Sequence, residues 1–581
     1  MPAKTRFLAR AIIALLLIVA VSTPTNAQQR RPQIRPVDKP KLVVLIVVDQ
    51  MRGDYVDKFR DQWTGGLRRL VDEGAWFRNA AYPYANTETC VGHATISTGA
   101  LPTTHGMISN SWWDRDAQKV VTCTSDPKVK NSAYGGAKAK GGDSAWRMLV
   151  PAFAEELRFQ SGQGTRVVTF SLKARTAITM AGHKADAATW FDSGSWITSD
   201  AYTNQPFMES YVTAHPMSAD YGKIWNLSLP EASYFYEPKA FGAFPPEGWD
   251  LSFPHVLRGK AAGNTPDEEF YEQWASSPFA DTYLTQLAET SVDSLSLGQG
   301  RSTDLLGISY SSVDYVGHAF GPRSREIQEI LVGLDRDLGE LFGYLDTKVG
   351  RGKYVVALSA DHGVVPIPED MARTGVDSGV LVVPELQDKI EKALAGFDFP
   401  KPAIARMAES TVYFAPGVYE KLKHDLAAMQ AVMAAARSQP GVAAIYSAED
   451  LADRPATQSP IRNAEADSYF PGRSGDLFIV PKPYWLVGGL RSPANRGYGT
   501  GHGTPYNYDQ HVPILLMGFG IKPGEYHNEV TPADIAPTLA SLCGITLAVR
   551  DGHVLAPALA TVEDRNSRSP VRNRATPPAR P

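Results

Sequence analysis

Seven consecutive apolar residues, Leu42 to Val48, run without a polar interruption and stop at Asp49. A surface helix needs a polar face, and a strand with one wet side alternates. An unbroken, largely β-branched run of this length suits a strand covered on both faces, as in a parallel sheet with helices above and below. The design recurs at 166–170, 305–310, 354–358 and 512–517, each run bounded by polar or glycine-containing turns. Helical spacing lies between several of them and is clearest over 324–345, where Ile327, Ile330, Leu331, Leu334, Leu338 and Leu341 fall three or four apart. Strands alternating with helices predict an α/β fold with a largely parallel central sheet flanked by helices.

The rhythm breaks twice. Residues 185–300 are rich in aromatics and proline, and 368–498 carry their own helical stretch at 418–438. Both read as capping insertions, leaving core segments at 41–184, 301–367 and 499–560. A chain of 581 residues is long enough for one large core with such additions. No repeat of fixed period is present. Residues 28–40 read as a flexible lead-in, and 561–581, rich in Arg, Ser and Pro, as a disordered tail.

The N-terminus carries Lys4, Arg6 and Arg10, an apolar stretch over 11–21 and the small-residue site Thr25-Asn26-Ala27. That layout is a secretory signal peptide cleaved after Ala27, so the expected location is the periplasm or the medium. A membrane anchor is the alternative, but 11–21 falls well short of the ~20 residues that cross a bilayer, and no other stretch is long enough. Loss of the leader takes the formal charge from −4 to −7. An acidic balance argues against nucleic acid as the main partner. The three cysteines, Cys90, Cys123 and Cys543, form no Cys-x-x-Cys, and their odd number leaves any disulfide pairing open. A sulfur-based zinc site is excluded, so a metal must be held by histidines and carboxylates.

In an open α/β sheet, ligands bind at the carboxyl ends of the strands. The first apolar run ends at Asp49, that at 305–310 leads into Asp314 and His318, and that at 354–358 into Asp361 and His362; His502 lies in a glycine-rich loop at 499–504. Asp and His are what zinc takes when cysteine is missing. Asp314 and His318, four apart, share one face of a helix. A strand-terminal Asp is often only a helix cap and a single His a structural residue, but six ligand-type residues at strand ends and in one loop outweigh those readings. Thr89 opens a helical stretch, where backbone amides favour an anion. Alone it reads as a cap; beside a metal its hydroxyl becomes a nucleophile. Lys173 and Arg175 are two apart, so in an extended segment both point to one side, one a point charge and the other a bidentate fork for phosphate. A solvated surface pair is the plainer alternative, but they follow directly on a core strand.

Together, the segments 47–52, 89–99, 102–110, 314–318, 360–363 and 501–504 resemble the alkaline phosphatase superfamily. Within it they are most similar to the secreted bacterial alkaline phosphatases with a threonine nucleophile and an active-site Lys and Arg. The metal ligands are also similar to those of the phosphodiesterase/nucleotide pyrophosphatase branch. The resemblance spans about 41–555 and implies an alkaline phosphatase-like core holding two Zn2+. One ion would be bound by Asp314, His318 and His502, the other by Asp49, Asp361, His362 and Thr89. It further implies a phosphothreonine intermediate at Thr89, a hydrogen bond from Asn110 to a phosphate oxygen, and leaves room for an additional structural Ca2+. The expected partners are small phosphate monoesters, because Lys173 and Arg175 suit a dianionic phosphoryl group, and the expected role is phosphate scavenging outside the cytoplasm. A phosphodiesterase on the same two-zinc core is the alternative. A sulfatase is disfavoured because no Cys/Ser-x-Pro-x-Arg surrounds Thr89, and Thr89 argues against a binding module without turnover. His93 and His105 are expected to be scaffolding.

Overall fold

The computed structural model describes residues 38–162, 164–260, 265–453, 459–488 and 499–561. The expected signal peptide, the lead-in up to residue 37 and the tail beyond residue 561 lie outside them.

Ten strands build the central sheet: β1 (Leu42–Val48), β2 (Ala75–Ala80), β3 (Asn131–Ala133), β4 (Val167–Ser171), β5 (Ala187–Asp192), β6 (Ser195–Ser199), β7 (Asp304–Tyr310), β8 (Tyr354–Ser359), β9 (Ile514–Gly518) and β10 (Gly524–Val530). Their order across the sheet is β10-β2-β9-β8-β1-β7-β4-β5-β6-β3. From β8 to β5 every neighbouring pair is parallel. Of the ten strands, β6 and β9 run against the rest.

The unbroken run in β1 now has its cause. Leu42, Val44, Ile46 and Val48 enter one hydrophobic layer, while Val43, Leu45 and Val47 enter the layer on the opposite face. Helices α1 (Thr89–Thr98) and α2 (Ala174–Ala181) cover the second face with Ala94, Ile96, Ala177 and Ile178. Helices α3 (Ser312–Phe320) and α4 (Arg325–Leu345) cover the first with Val313, Val316 and the six apolar residues of the 324–345 pattern. Ser324 caps α4 by accepting the Ile327 N–H, a contact whose loss typically costs about 1 kcal/mol.

Three expectations need correction. The run at 512–517 yields a strand that starts only at Ile514 and is antiparallel to both neighbours. Its chain arrives from the His502 loop at the carboxyl end of the sheet and so must run back, and Pro513 has no N–H for the ladder. The boundary set at 185 falls inside the sheet, since β5 and β6 follow it, and the helix Pro278–Leu295 buries Leu284, Leu287 and Val292 against the core. The alanine-rich start of β5 hid it. The helical stretch 418–438 is two helices, Val418–Leu422 and Leu426–Arg437, because Asp425 accepts the Ala428 N–H and caps the second.

The second insertion has a four-stranded antiparallel sheet of its own, in the order Ile404–Ala408, Thr411–Phe414, Leu477–Pro481, Val442–Ser447. Leu386, Ile390, Val412, Val432, Leu477 and Ile479 form its separate core.

Candidate active site

Four adjacent parallel strands, β8, β1, β7 and β4, lead at their carboxyl ends into Asp361, Asp49, Asp314 and Lys173. Strands lie about 4.8 Å apart, so these side chains converge. Lys173 Nζ donates to Asp49 Oδ2 at 2.7 Å and to Asp314 Oδ2 at 2.5 Å, and it stands 5.0 Å from the centre of the Tyr315 ring. Burial favours the neutral form of Asp49, and repulsion from Asp314 and Asp361 adds to it, pushing this carboxyl well above its ordinary range. Burial acts the same way on Asp314, but Lys173 and His318 outweigh it and hold Asp314 well below. One ammonium cannot balance three buried carboxylates, whereas added divalent charge would.

The three histidines share one hydrogen-bonding arrangement. His318 Nδ1 lies 2.8 Å from the Thr500 carbonyl, His502 Nδ1 2.8 Å from the Thr87 carbonyl and His362 Nδ1 2.9 Å from the Gly363 carbonyl. A carbonyl only accepts, so each Nδ1 carries the proton and each Nε2 presents a lone pair. Burial, then the neighbouring His362 and His318, holds His502 well below its ordinary range, and burial lowers His362. Neutral imidazoles are the ligating form.

Donors at the corners of a tetrahedral zinc site, each ~2.0–2.1 Å from the ion, stand about 3.3 Å apart. Around His362 Nε2 lie Thr89 Oγ1 at 3.4 Å, Asp361 Oδ2 at 3.4 Å and Asp49 Oδ1 at 3.5 Å. Asp49 Oδ1 is buried and accepts no hydrogen bond, an orphan a cation would satisfy. His318 Nε2 is 3.2 Å and His502 Nε2 4.0 Å from Asp314 Oδ1. The two candidate ligand groups among the described residues are Asp314, His318, His502 and Asp49, Asp314, His362. The first coincides with an expected set; the second contains Asp314 rather than the expected Asp361, although Asp361 Oδ2, also buried without a hydrogen bond, stands 3.4 Å from His362 Nε2. Among the described residues no third group of three His, Cys, Asp or Glu side chains lies together.

Thr89 is the first residue of α1 and is 1% exposed. Asn110 Oδ1 accepts the Cys90 N–H at 2.9 Å, which turns its amide nitrogen away from the helix. Both residues line a cavity of about 710 Å³ together with Lys173, Arg175, His318 and His502. Lys173 and Arg175 reach it by a geometry other than the extended one expected. Lys173 is extended and precedes α2, whereas Arg175 is already in its first turn.

Sequence reasoning missed the residues that hold these groups. Gln50, at φ +68°, donates its side-chain amide to Asp314 Oδ1 and its backbone N–H to Asp361 Oδ1. Gly317 makes room for it, since a Cβ there would stand 1.8 Å from Gln50 Oε1, and Gly92 lets α1 press onto the Asp361 backbone. Glu88 Oε2 accepts from the Asn110 N–H and Ser109 Oγ. Proximity of Gln50 to Asp49 in the chain was the one available signal. His93 and His105 are buried among α1 contacts, His93 bonding Ser309 Oγ and His105 Thr95 Oγ1.

The description "Type I phosphodiesterase / nucleotide pyrophosphatase" matches residues 43–505. The chain belongs to this family, a branch of the alkaline phosphatase superfamily. Among relatives within it, the alkaline phosphatase PhoV of Synechococcus elongatus is 33% identical over 556 residues, covering 92% of this chain and 96% of PhoV. The alkaline phosphatase PafA of Elizabethkingia meningoseptica is 31% identical over 547 residues, covering 91% and 96%. The crystal structure of wild-type PafA superposes with a TM-score of 0.79 over 90% of this chain and all of that one, at 31% identity. The family implies metal cofactors, and the two ligand groups are where this chain would hold them.

Proposed function

We propose that the chain is a phosphate monoester hydrolase, an alkaline phosphatase that holds two Zn2+ and works through a phosphothreonine at Thr89. The observation that carries this reading is Thr89 Oγ1 itself, 3.4 Å from the His362 lone-pair nitrogen and facing a cavity lined by Asn110 and Arg175. Relatives named alkaline phosphatase along nearly the whole chain support it.

Substrate enters with its phosphoryl group toward the start of α1, whose dipole favours negative charge. Asn110 donates its side-chain amide to one non-bridging oxygen. Arg175, whose Nε finds no partner within the protein, pairs with others, and Lys173 adds charge from below. Asp314, His318 and His502, and Asp49, Asp361, His362 and Thr89, would hold the two Zn2+, which would supply a lowered hydroxyl pKa and positive charge for the oxygens of an in-line displacement. Thr89 Oγ1 attacks phosphorus and the ester oxygen departs; water then attacks phosphothreonine, releasing phosphate and restoring Thr89. Two inversions retain configuration at phosphorus.

The family description favours a second reading, a phosphodiesterase on the same core. Arg175 and Lys173 weigh against it, since a diester carries one charge fewer at phosphorus. The Cys90–Cys123 disulfide supports export to an oxidising compartment, and among the described residues no helix is long and apolar enough to cross a membrane.

Acid quenching during turnover of a labelled monoester, followed by peptide mapping, should find phosphate on Thr89. Steady turnover without label on any residue would remove the covalent mechanism.

A further inference from the structure

Cys90 and Cys123 are joined across 33 residues and both are buried. Cys90 directly follows Thr89 and donates its N–H to Asn110 Oδ1 at 2.9 Å; Cys123 donates its N–H to the Asn110 carbonyl at 3.0 Å. The cross-link therefore ties together the two backbone positions that grip the side chain and the main chain of Asn110. The hairpin after Asn110, Ser111–Asp114 with Lys119–Thr122, pairs only with itself, and its second strand is exposed except at Val121. Beyond the cystine, Asn110 has the Glu88 carboxylate on its N–H at 2.7 Å, and Asn86 Nδ2 holds the Ile108 carbonyl at 2.9 Å. The Glu88 contact holds the Asn110 main chain beside Thr89 from one side, and the cystine adds the tie from the other, at Cys123, which holds the Asn110 carbonyl.

We propose that the Cys90–Cys123 disulfide is a positioning element of the phosphoryl site, fixing Asn110 against Thr89, so that the dithiol protein is a slower phosphatase with its metal ligands intact. The inference rests on the reading of Thr89 as nucleophile and Asn110 as phosphate donor. None of the seven expected ligand side chains bonds to either sulfur, whereas a donor whose place must be held to a fraction of an ångström depends on both cysteine backbones. Full activity then follows oxidation: the two thiols give up two protons and two electrons to a disulfide-carrying oxidant, which becomes a dithiol.

The test compares zinc-loaded wild type, Cys90→Ala/Cys123→Ala, Asn110→Ala and the triple variant, reading zinc content, inorganic phosphate affinity and kcat/KM on an aryl monophosphate. The cysteine pair is expected to cost about tenfold or more in kcat/KM and to weaken phosphate binding at unchanged zinc content, as misplacing one oxyanion donor does. Asn110→Ala should cost less than about threefold in the cysteine-free background but far more in wild type. Full, additive loss from Asn110→Ala in both backgrounds overturns the proposal. Should the cysteine-free chain not fold, wild-type holoenzyme is reduced with a phosphine, which becomes phosphine oxide with oxygen from water. The same loss, reversed on reoxidation, is expected, and an undiminished rate in fully reduced enzyme overturns the proposal. Phosphate trapped on Thr89 tests the parent reading separately.

Discussion

The central sheet and the insertion sheet line one cavity by different means. In β1, the strand before Asp49, no side chain is more than 2% exposed, and four strand ends deliver Asp361, Asp49, Asp314 and Lys173 as neighbours. The insertion reaches the same space with a two-residue hairpin tip, Glu409-Ser410, and with half-exposed Leu486 and Val487 of the strand Trp485–Gly488. Glu409 adopts φ +50° there, and the charge of Glu88 pushes its carboxyl well above the ordinary range. A rigid floor can hold chemistry that tolerates little displacement, while a wall of loops and edges can vary with the leaving group.

That contrast can be broken by mutation. Thr89→Ala on the floor should lower kcat/KM by roughly 10⁴-fold or more while metal is retained, since removing a nucleophile removes the covalent route; a loss no greater than that from a wall substitution ends the distinction. Asp314 groups with His318 and His502, so Asp314→Ala should cost metal there, read by metal analysis, and activity should fall by about 10³-fold or more. Arg175→Ala should cost roughly 10²–10³-fold on an aryl monophosphate and within about tenfold on the corresponding diester; equal losses would refute the charge argument for monoesters.

Stability sharpens the same comparison. Burial pushes Asp509, which accepts from the Thr504 N–H and Oγ1 beside His502, up to about 8. Its folded value lies above its unfolded one, so the folded chain holds a proton that the unfolded chain releases. Stability from this group is present below about pH 4 and is lost as pH rises toward about 8. Asp509→Asn should flatten the fall of Tm across that window. Smallest of all, Glu409→Ala or Leu486→Ala on the wall should change KM by less than about tenfold, differently for bulky and small leaving groups, with metal content unchanged.

The floor was the legible part. Apolar runs announce buried strands, and the polar residue that ends each run must lie at a strand end, so Asp49, Asp314, Asp361 and His362 could be marked from the chain alone. Lys173 and Arg175 could be marked as a pair, but their approach through a helix start depends on where β4 stops. Gln50 and Glu88 were not legible as supports: Gln50 meets Asp314 264 residues away, and no local spacing encodes such a meeting. Nor could β5 announce itself, because alanines carry little hydrophobic signal. Glu409 depends on where a hairpin tip of another core comes to rest.

His318, His502 and His362 are oriented by the carbonyls of Thr500, Thr87 and Gly363, groups that every amino acid possesses. The imidazoles are thus tied by backbone alone, but Gly363 cannot drift, since a Cβ there would stand 2.1 Å from the Tyr508 carbonyl oxygen. Orientation of the histidines is inherited with the loop paths, and residue identity at these supports matters through what keeps those paths: the missing side chain of Gly363 and the Thr500 hydroxyl on the Val365 carbonyl.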